Sequence, residues 1–331
     1  MKKIFIILCL VFLNVIVFGK VVTVLNEVNK PLKLVINKDR LYVIEKETIY
    51  LYSFKDYRFI KKFGRIGEGP KEFNSITSVI PYKGKLLINS LGKISFYKRN
   101  GDYINGKKID SSIAKRGLNL YPLKNGFVGN GTIVKDKNLY ETINIYNSDF
   151  KKIKELNKML GKSNSKIRML SKSFLYQTYK NKIFISSNSG LCINVLNENG
   201  KKLYKINYPN YKNKIFDKKN ILEKLKKKNK FKYEILKTRL EFPKYYPEIL
   251  NFFIADEKLY IATWKWKKNK IEFFIFTIKG KFLKHTYLPL FFEDGIFPHP
   301  YPALTINNNH LYQLVENRDT ERWELHKNLI K

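Results

Sequence analysis

Leu34-Val-Ile-Asn-Lys-Asp-Arg-Leu-Tyr-Val-Ile44 is two short apolar runs around a polar turn, and Ile49-Tyr-Leu-Tyr-Ser-Phe-Lys-Asp-Tyr-Arg-Phe-Ile60 repeats the plan. Aliphatic and aromatic residues suit a pleated, half-buried surface. Asn, Lys and Asp at the tips suit tight turns. Each stretch therefore reads as a β-hairpin, and two in succession make a four-stranded antiparallel sheet.

The same plan recurs along the chain. Leading hairpins lie at Val79–Ile88, Leu120–Val128, Tyr176–Ile185, Phe253–Ile261 and Leu304–Tyr312. A second hairpin follows most of them, at Ile94–Ile104, Ile143–Ile153, Ile193–Leu203 and Phe273–Leu283. The first apolar residue after each leading turn is Leu41, Leu86, Phe127, Ile183, Leu259 and Leu311, giving intervals of 45, 41, 56, 76 and 52. A base period of 41–45 is that of a four-stranded blade, and the longer intervals carry insertions at 156–172, 209–247 and 288–300. The pattern predicts an all-β chain: a six-bladed β-propeller of four-stranded antiparallel blades.

The sixth unit lacks a strand. Thr320–His326 alternates and supplies a third, while Val21-Val-Thr-Val-Leu25 is a strand without a partner. A propeller left open exposes unpaired edges. We therefore expect the segment 20–28 to close blade six as its outer strand.

The insertion at about 209–247, between blades four and five, holds the one clear helix. Asp217 can cap it. Leu222, Leu225, Asn229, Tyr233, Leu236 and Leu240 keep a 3–4 spacing, and Pro243 ends it. The opposite side is lysine, read as a solvated face, with a membrane-surface or polyanion contact as the sharper alternative.

Residues 1–19 read as a secretory signal: Lys2 and Lys3, an apolar stretch from Ile4 to Phe18, and Gly19 at the cleavage point. The mature chain, 20–331, is then expected in the periplasm or outside the cell, as a monomer. Leu8 before Cys9 argues against a lipid anchor. Cys192 remains as the one mature cysteine, read as a small buried residue. The formal charge is +36, which would attract polyanions. The lysines are spread through nearly every turn, however, so compositional drift explains them equally, and no specific nucleic-acid recognition is expected.

Phe63-Gly-Arg-Ile-Gly-Glu-Gly-Pro-Lys-Glu-Phe73 resembles the glycine loop of exported bacterial six-bladed propellers akin to NHL-repeat proteins. Phe242-Pro-Lys-Tyr-Tyr-Pro-Glu-Ile249 and Tyr312–Leu325 are similar to the same group. The resemblance implies the fold and little about activity, since one fold hosts binding modules and enzymes alike. Gly64, Gly67 and Gly69 allow tight turning, from which Arg65 and Glu68 are expected to project toward a neighbouring blade.

Candidate chemistry is sparse. His285, His299, His310 and His326 show no ligand spacing. His299, between Pro298 and Pro300, precedes blade six and is the histidine best placed to reach the channel mouth. Trp264 and Trp266 share one face of a strand, for packing, sugar stacking or a cation–π contact. The candidate ligand-binding residues are thus Arg65, Glu68, Trp264, Trp266 and His299. No catalytic or metal residue and no cofactor is assigned; a divalent cation in the central channel stays open. The leading expectation is a binding module or scaffold for a protein, peptide or carbohydrate. The alternatives are a metal-dependent propeller hydrolase or lyase, lactonase-like, and a polyanion-binding surface protein.

Overall fold

The structure, a computed structural model, describes residues 19–109, 119–136, 138–161, 167–170, 174–187, 190–293, 297, 299–300 and 302–331. Of the segment 1–19 expected to be a signal, residues 1–18 lie outside the described residues, as do parts of the insertions at 156–172 and 288–300.

Six four-stranded antiparallel sheets form a ring. Blade one is Lys33–Asn37, Arg40–Ile44, Ile49–Ser53 and Phe59–Phe63. Blade two runs from Ile76–Tyr82 to Tyr103–Lys108, and blade three from Tyr121–Leu123 to Lys152–Leu160. Blade four runs from Tyr176–Tyr179 to Lys202–Tyr208, and blade five from Ile249–Ala255 to Phe282–Pro289. Blade six is Leu304–Asn307, His310–Asn317 and Arg322–Leu329, with Lys20–Leu25 paired antiparallel to the last of these. Each innermost strand touches the next, and the sixth returns to the first.

The burial pattern explains why the strands differ in composition. Second strands are covered on both faces by neighbouring blades, so Leu41, Tyr42, Val43 and Ile44 are all fully buried. Outer strands meet solvent and tolerate lysine, as in Lys152–Leu160. One apolar cluster fills each gap between blades. Leu25, Leu41, Tyr312 and Leu325 join blades six and one, and Ile44, Leu51, Phe73 and Leu86 join blades one and two. The turns between first and second strands are tight. Lys83 and Gly84, Lys180 and Asn181, Asp256 and Glu257, and Asn308 and Asn309 all have positive φ, the twist that matches a hairpin.

Strand alternation sorts the connections. Those between blades, and the turns joining second to third strands, emerge on one face. Turns joining first to second and third to fourth strands emerge on the other. Every long insertion therefore falls on the first face, called the insertion face below.

The helical insertion differs from the single helix expected. There are two helices, α1 (Lys218–Lys228) and α2 (Lys230–Leu236), broken at Asn229, whose backbone is extended. Asp217 caps α1 by accepting from Asn220 N at 3.1 Å. Leu240 is not helical: Leu240–Glu241 pairs in parallel with Ile167–Arg168 from the connection between blades three and four. The 3–4 spacing continued across a break because Tyr233 and Leu236 still face inward after the chain turns.

Candidate functional site

Three connections meet on the insertion face and pack into one cap. Phe216, Ile221, Tyr246 and Trp264 are its buried centre. Met169 and Leu170 join from the connection between blades three and four, and Phe297 from that between blades five and six. Trp264 reaches this cap through a bulge: pairing with the third strand of blade five stops at Ala262 and resumes at Trp266. Bulges re-aim side chains in this way. The Trp264 ring stacks on Tyr246, centroids 5.6 Å apart, and Trp266 meets the same ring edge-on at 6.1 Å.

Lys214 sits against this aromatic group. Its ammonium lies over the Trp266 ring, 2.9 Å from the centroid, and over Tyr246 at 4.9 Å. It donates to the Trp264 carbonyl at 3.2 Å. Burial lowers its pKa from 10.5 to about 8. Between those values an unfolded chain holds the proton and the folded one does not. The penalty is thus fully present below pH 8 and fades as pH rises toward 10.5. Raising pH from about 7.5 to 9.5 should stabilise the cap, seen as a later tryptophan-fluorescence melt. Lys214→Met should melt later than the parent at the lower pH and lose this rise. An unchanged rise in the variant would assign it elsewhere.

Nearer the axis, hydrogen bonds stitch the channel mouth across blades. Lys33, the first residue of the innermost strand of blade one, donates to the Thr77 carbonyl of blade two. It also donates to Asn119 Oδ1 at 3.3 Å. Asn119 N donates to Asn130 Oδ1 at 2.9 Å within blade three. The Tyr176 hydroxyl of blade four accepts from Asn130 N at 2.7 Å and donates to the Asn119 carbonyl. Gln177 Nε2 donates to the Phe252 carbonyl of blade five at 2.9 Å. Burial pushes the Lys33 pKa down and that of Tyr176 well up. The mouth thus offers amides, hydroxyls and an ammonium. Among the described residues no three His, Cys, Asp or Glu side chains gather where they could hold a metal ion.

Arg65 and Glu68 sit in the connection between blades one and two, into which Lys93 of blade two donates at the Gly69 carbonyl, 2.6 Å. Arg65 pairs with Glu72 of its own loop at 2.9 Å, and Asn74 Nδ2 donates to Glu68 at 3.3 Å. The loop is built to seat Phe73, which is fully buried between blades one and two. Gly64 has φ +86, and a Cβ there would meet Phe73 at 2.6 Å and the Glu47 carbonyl at 2.8 Å. Glycine is needed for close approach rather than for a ligand. His299 lies in a two-residue strand paired with Phe292–Glu293 in the connection between blades five and six. Among the described residues, Trp264 and Trp266 are brought together; no contact joins them to Arg65 or Glu68. Cys192 is half-buried rather than buried, and burial raises its thiol pKa.

The sequence reading missed a buried acid. Glu272, in the third strand of blade five, is 4% exposed. It accepts from Thr263 Oγ1 at 2.6 Å and lies 3.0 Å from His285 Nε2 and 3.4 Å from the Tyr287 hydroxyl. Its two oxygens are committed to these partners, and Lys265 stands 3.9 Å away. The signal was present: one carboxylate inside Lys270-Ile-Glu-Phe-Phe-Ile-Phe276, an otherwise apolar buried strand, where a charge requires partners.

No family model and no curated protein matches this chain. Solved structures do. A protein of Bacteroides fragilis described as exported aligns at a TM-score of 0.53 and 11% identity, over 95% of this chain and 94% of its own. Raptor of Chaetomium thermophilum aligns at 0.47 and 10%, over 93% of this chain and 29% of its own. A protein of unknown function from Bacteroides caccae aligns at 0.37 and 12%, over 82% and 81%. None of these singles out the NHL-repeat group. At such identities likeness speaks for architecture alone, and it agrees with the sheet order: the chain is a six-bladed β-propeller with the fold of the Bacteroides fragilis protein.

Proposed function

We propose that this protein is an exported binding module: its leader, residues 1–19, is removed, and residues 20–331 bind a polar ligand, peptide or carbohydrate, on the insertion face. The observation that carries this is one-sidedness. The described parts of three long connections pack into one cap beside a hydrogen-bonded channel mouth, whereas the opposite face is built of tight turns. Binding residues concentrate on loops held by a rigid scaffold, and among the described residues the long connections lie on this face. The overall charge supports no comparable assignment. Lys83, Lys180 and Lys279 lie on the opposite face, so lysines occur on both sides of the ring.

The test is the mature chain on peptide and glycan arrays. Ligands found should be lost, by tenfold or more, with Lys33→Ala and retained with Lys83→Ala. Loss with Lys83→Ala alone would overturn the assignment of the face. A stoichiometric divalent ion in the purified chain, with a melting temperature lowered by a chelator, would instead favour the hydrolase or lyase reading.

A further inference from the structure

Among the described residues, four large apolar side chains are more than seven-tenths exposed: Phe231 at 77%, Val134 at 75%, Ile215 at 72% and Ile66 at 71%. All four lie on the insertion face. Ile66 is in the connection from blade one to two. Val134 is near the tip of the hairpin joining the second and third strands of blade three. Ile215 and Phe231 belong to the cap. Ile235, 53% exposed, follows Phe231 by one turn of α2, and Tyr245 bridges to Ile215. The next most exposed, Ile153, is on an outer strand.

The surroundings of Phe231 and Ile235 are basic. Residues 218–239 hold ten Lys or Arg against Glu223 and Glu234, and Glu234 is already paired with Lys237. This combination separates the candidate partners. The centre of a protein–protein interface is depleted in lysine. Apolar tips set singly among lysines are instead what an interfacial membrane contact uses, the rings and aliphatic chains entering the headgroup boundary while the ammonium groups meet phosphates. No helix among the described residues is long and apolar enough to cross a membrane.

We propose that the insertion face docks on an anionic membrane surface, with Phe231 and Ile235 of α2 entering the interface and the cap lysines contacting lipid phosphates. This goes beyond the ligand-binding reading and does not depend on it.

The test is sedimentation of the mature chain with vesicles of phosphatidylcholine alone and with three-tenths phosphatidylglycerol. Binding is expected to the second only, and to weaken with salt, since each engaged lysine contributes about fivefold. Phe231→Glu with Ile235→Glu should weaken binding at least tenfold. Both sites are exposed, so the melting temperature should hold. Lys83→Gln with Lys279→Gln, on the opposite face, lowers the net charge by the same two units as the first variant and should change binding less than twofold. No binding to anionic vesicles would overturn the proposal. Equal weakening by both double variants would overturn it too, because attraction would then follow net charge without orientation. Array ligands lost with Lys33→Ala, alongside failed vesicle binding, would leave the ligand-binding reading standing and remove only this one.

Discussion

A chain starting at Asn29 should fail to fold as a monomer. The segment 20–28 contributes a whole outer strand, paired from Lys20 with Lys327 to Leu25 with Trp323. It also places Leu25 and Val28 in the cluster between blades six and one, where they are 1% and 5% exposed. Tyr52 of blade one donates to Glu27 at 2.9 Å. Truncating one buried leucine to alanine costs about 2–5 kcal/mol. Losing Leu25, Val28, the strand's hydrogen bonds and the Glu27 contact together approaches the whole stability of an ordinary domain, about 5–15 kcal/mol. The exposed edge of Arg322–Leu329 would also invite pairing between chains. Size-exclusion chromatography should show aggregates or oligomers, and near-ultraviolet dichroism should be lost. A monomeric truncated chain with a cooperative melt would show that the strand is dispensable.

The second large effect is expected at Glu272. Alanine there removes the acceptor for Thr263 and the partner of His285 and Tyr287 inside a strand buried on both faces. Leaving the buried Thr263 hydroxyl without its acceptor costs about 1–3 kcal/mol, and the emptied volume in the strand adds to it. Glu272→Gln keeps the shape and an acceptor, and should cost about 1–2 kcal/mol. His285 is 43% exposed at its side chain, so His285→Ala should cost less than either. Urea denaturation of the three variants checks the order. If Glu272→Ala were as mild as His285→Ala, the carboxylate would be solvated in solution and not the anchor of this cluster.

The contrast between these regions shows what could be read from sequence. Blade strands were legible because two periodicities coincide: alternation within each hairpin and a 41–45 residue spacing between them. Leu41, Leu86 and Phe127 mark second strands that neighbouring blades cover on both faces, so their apolar runs had little freedom to mean anything else. The cap was legible only in outline. Asp217 and the leucine spacing located a helix, but the break at Asn229 is a local backbone choice that side-chain periodicity does not register. The pairing of Leu240–Glu241 with Ile167–Arg168 joins segments more than seventy residues apart, and no local signal marks it. Arg65 and Glu68 were picked out by their glycines. The closeness those glycines permit serves Phe73 and the Glu47 carbonyl at Gly64, and the Glu72 side chain at Gly67 and Gly69. Lys33 carried no signal at all: one lysine among sixty-four basic residues, set apart only when the ring brings Thr77 and Asn119 to it.

The ring is closed by the segment 20–28, which completes blade six and leaves that blade no open edge. Lys20→Cys with Lys327→Cys, in a mature chain carrying Cys192→Ala, tests that closure directly. The two lysines are partners across the pair, and opposed residues of antiparallel strands lie about 4.5–5.5 Å apart at Cα, within reach of a disulfide. Mild oxidation should yield an intramolecular bond by mass spectrometry, in a monomer that melts several degrees higher than its reduced form. Free thiols, or bonds only between chains, in an otherwise folded protein would contradict the closure.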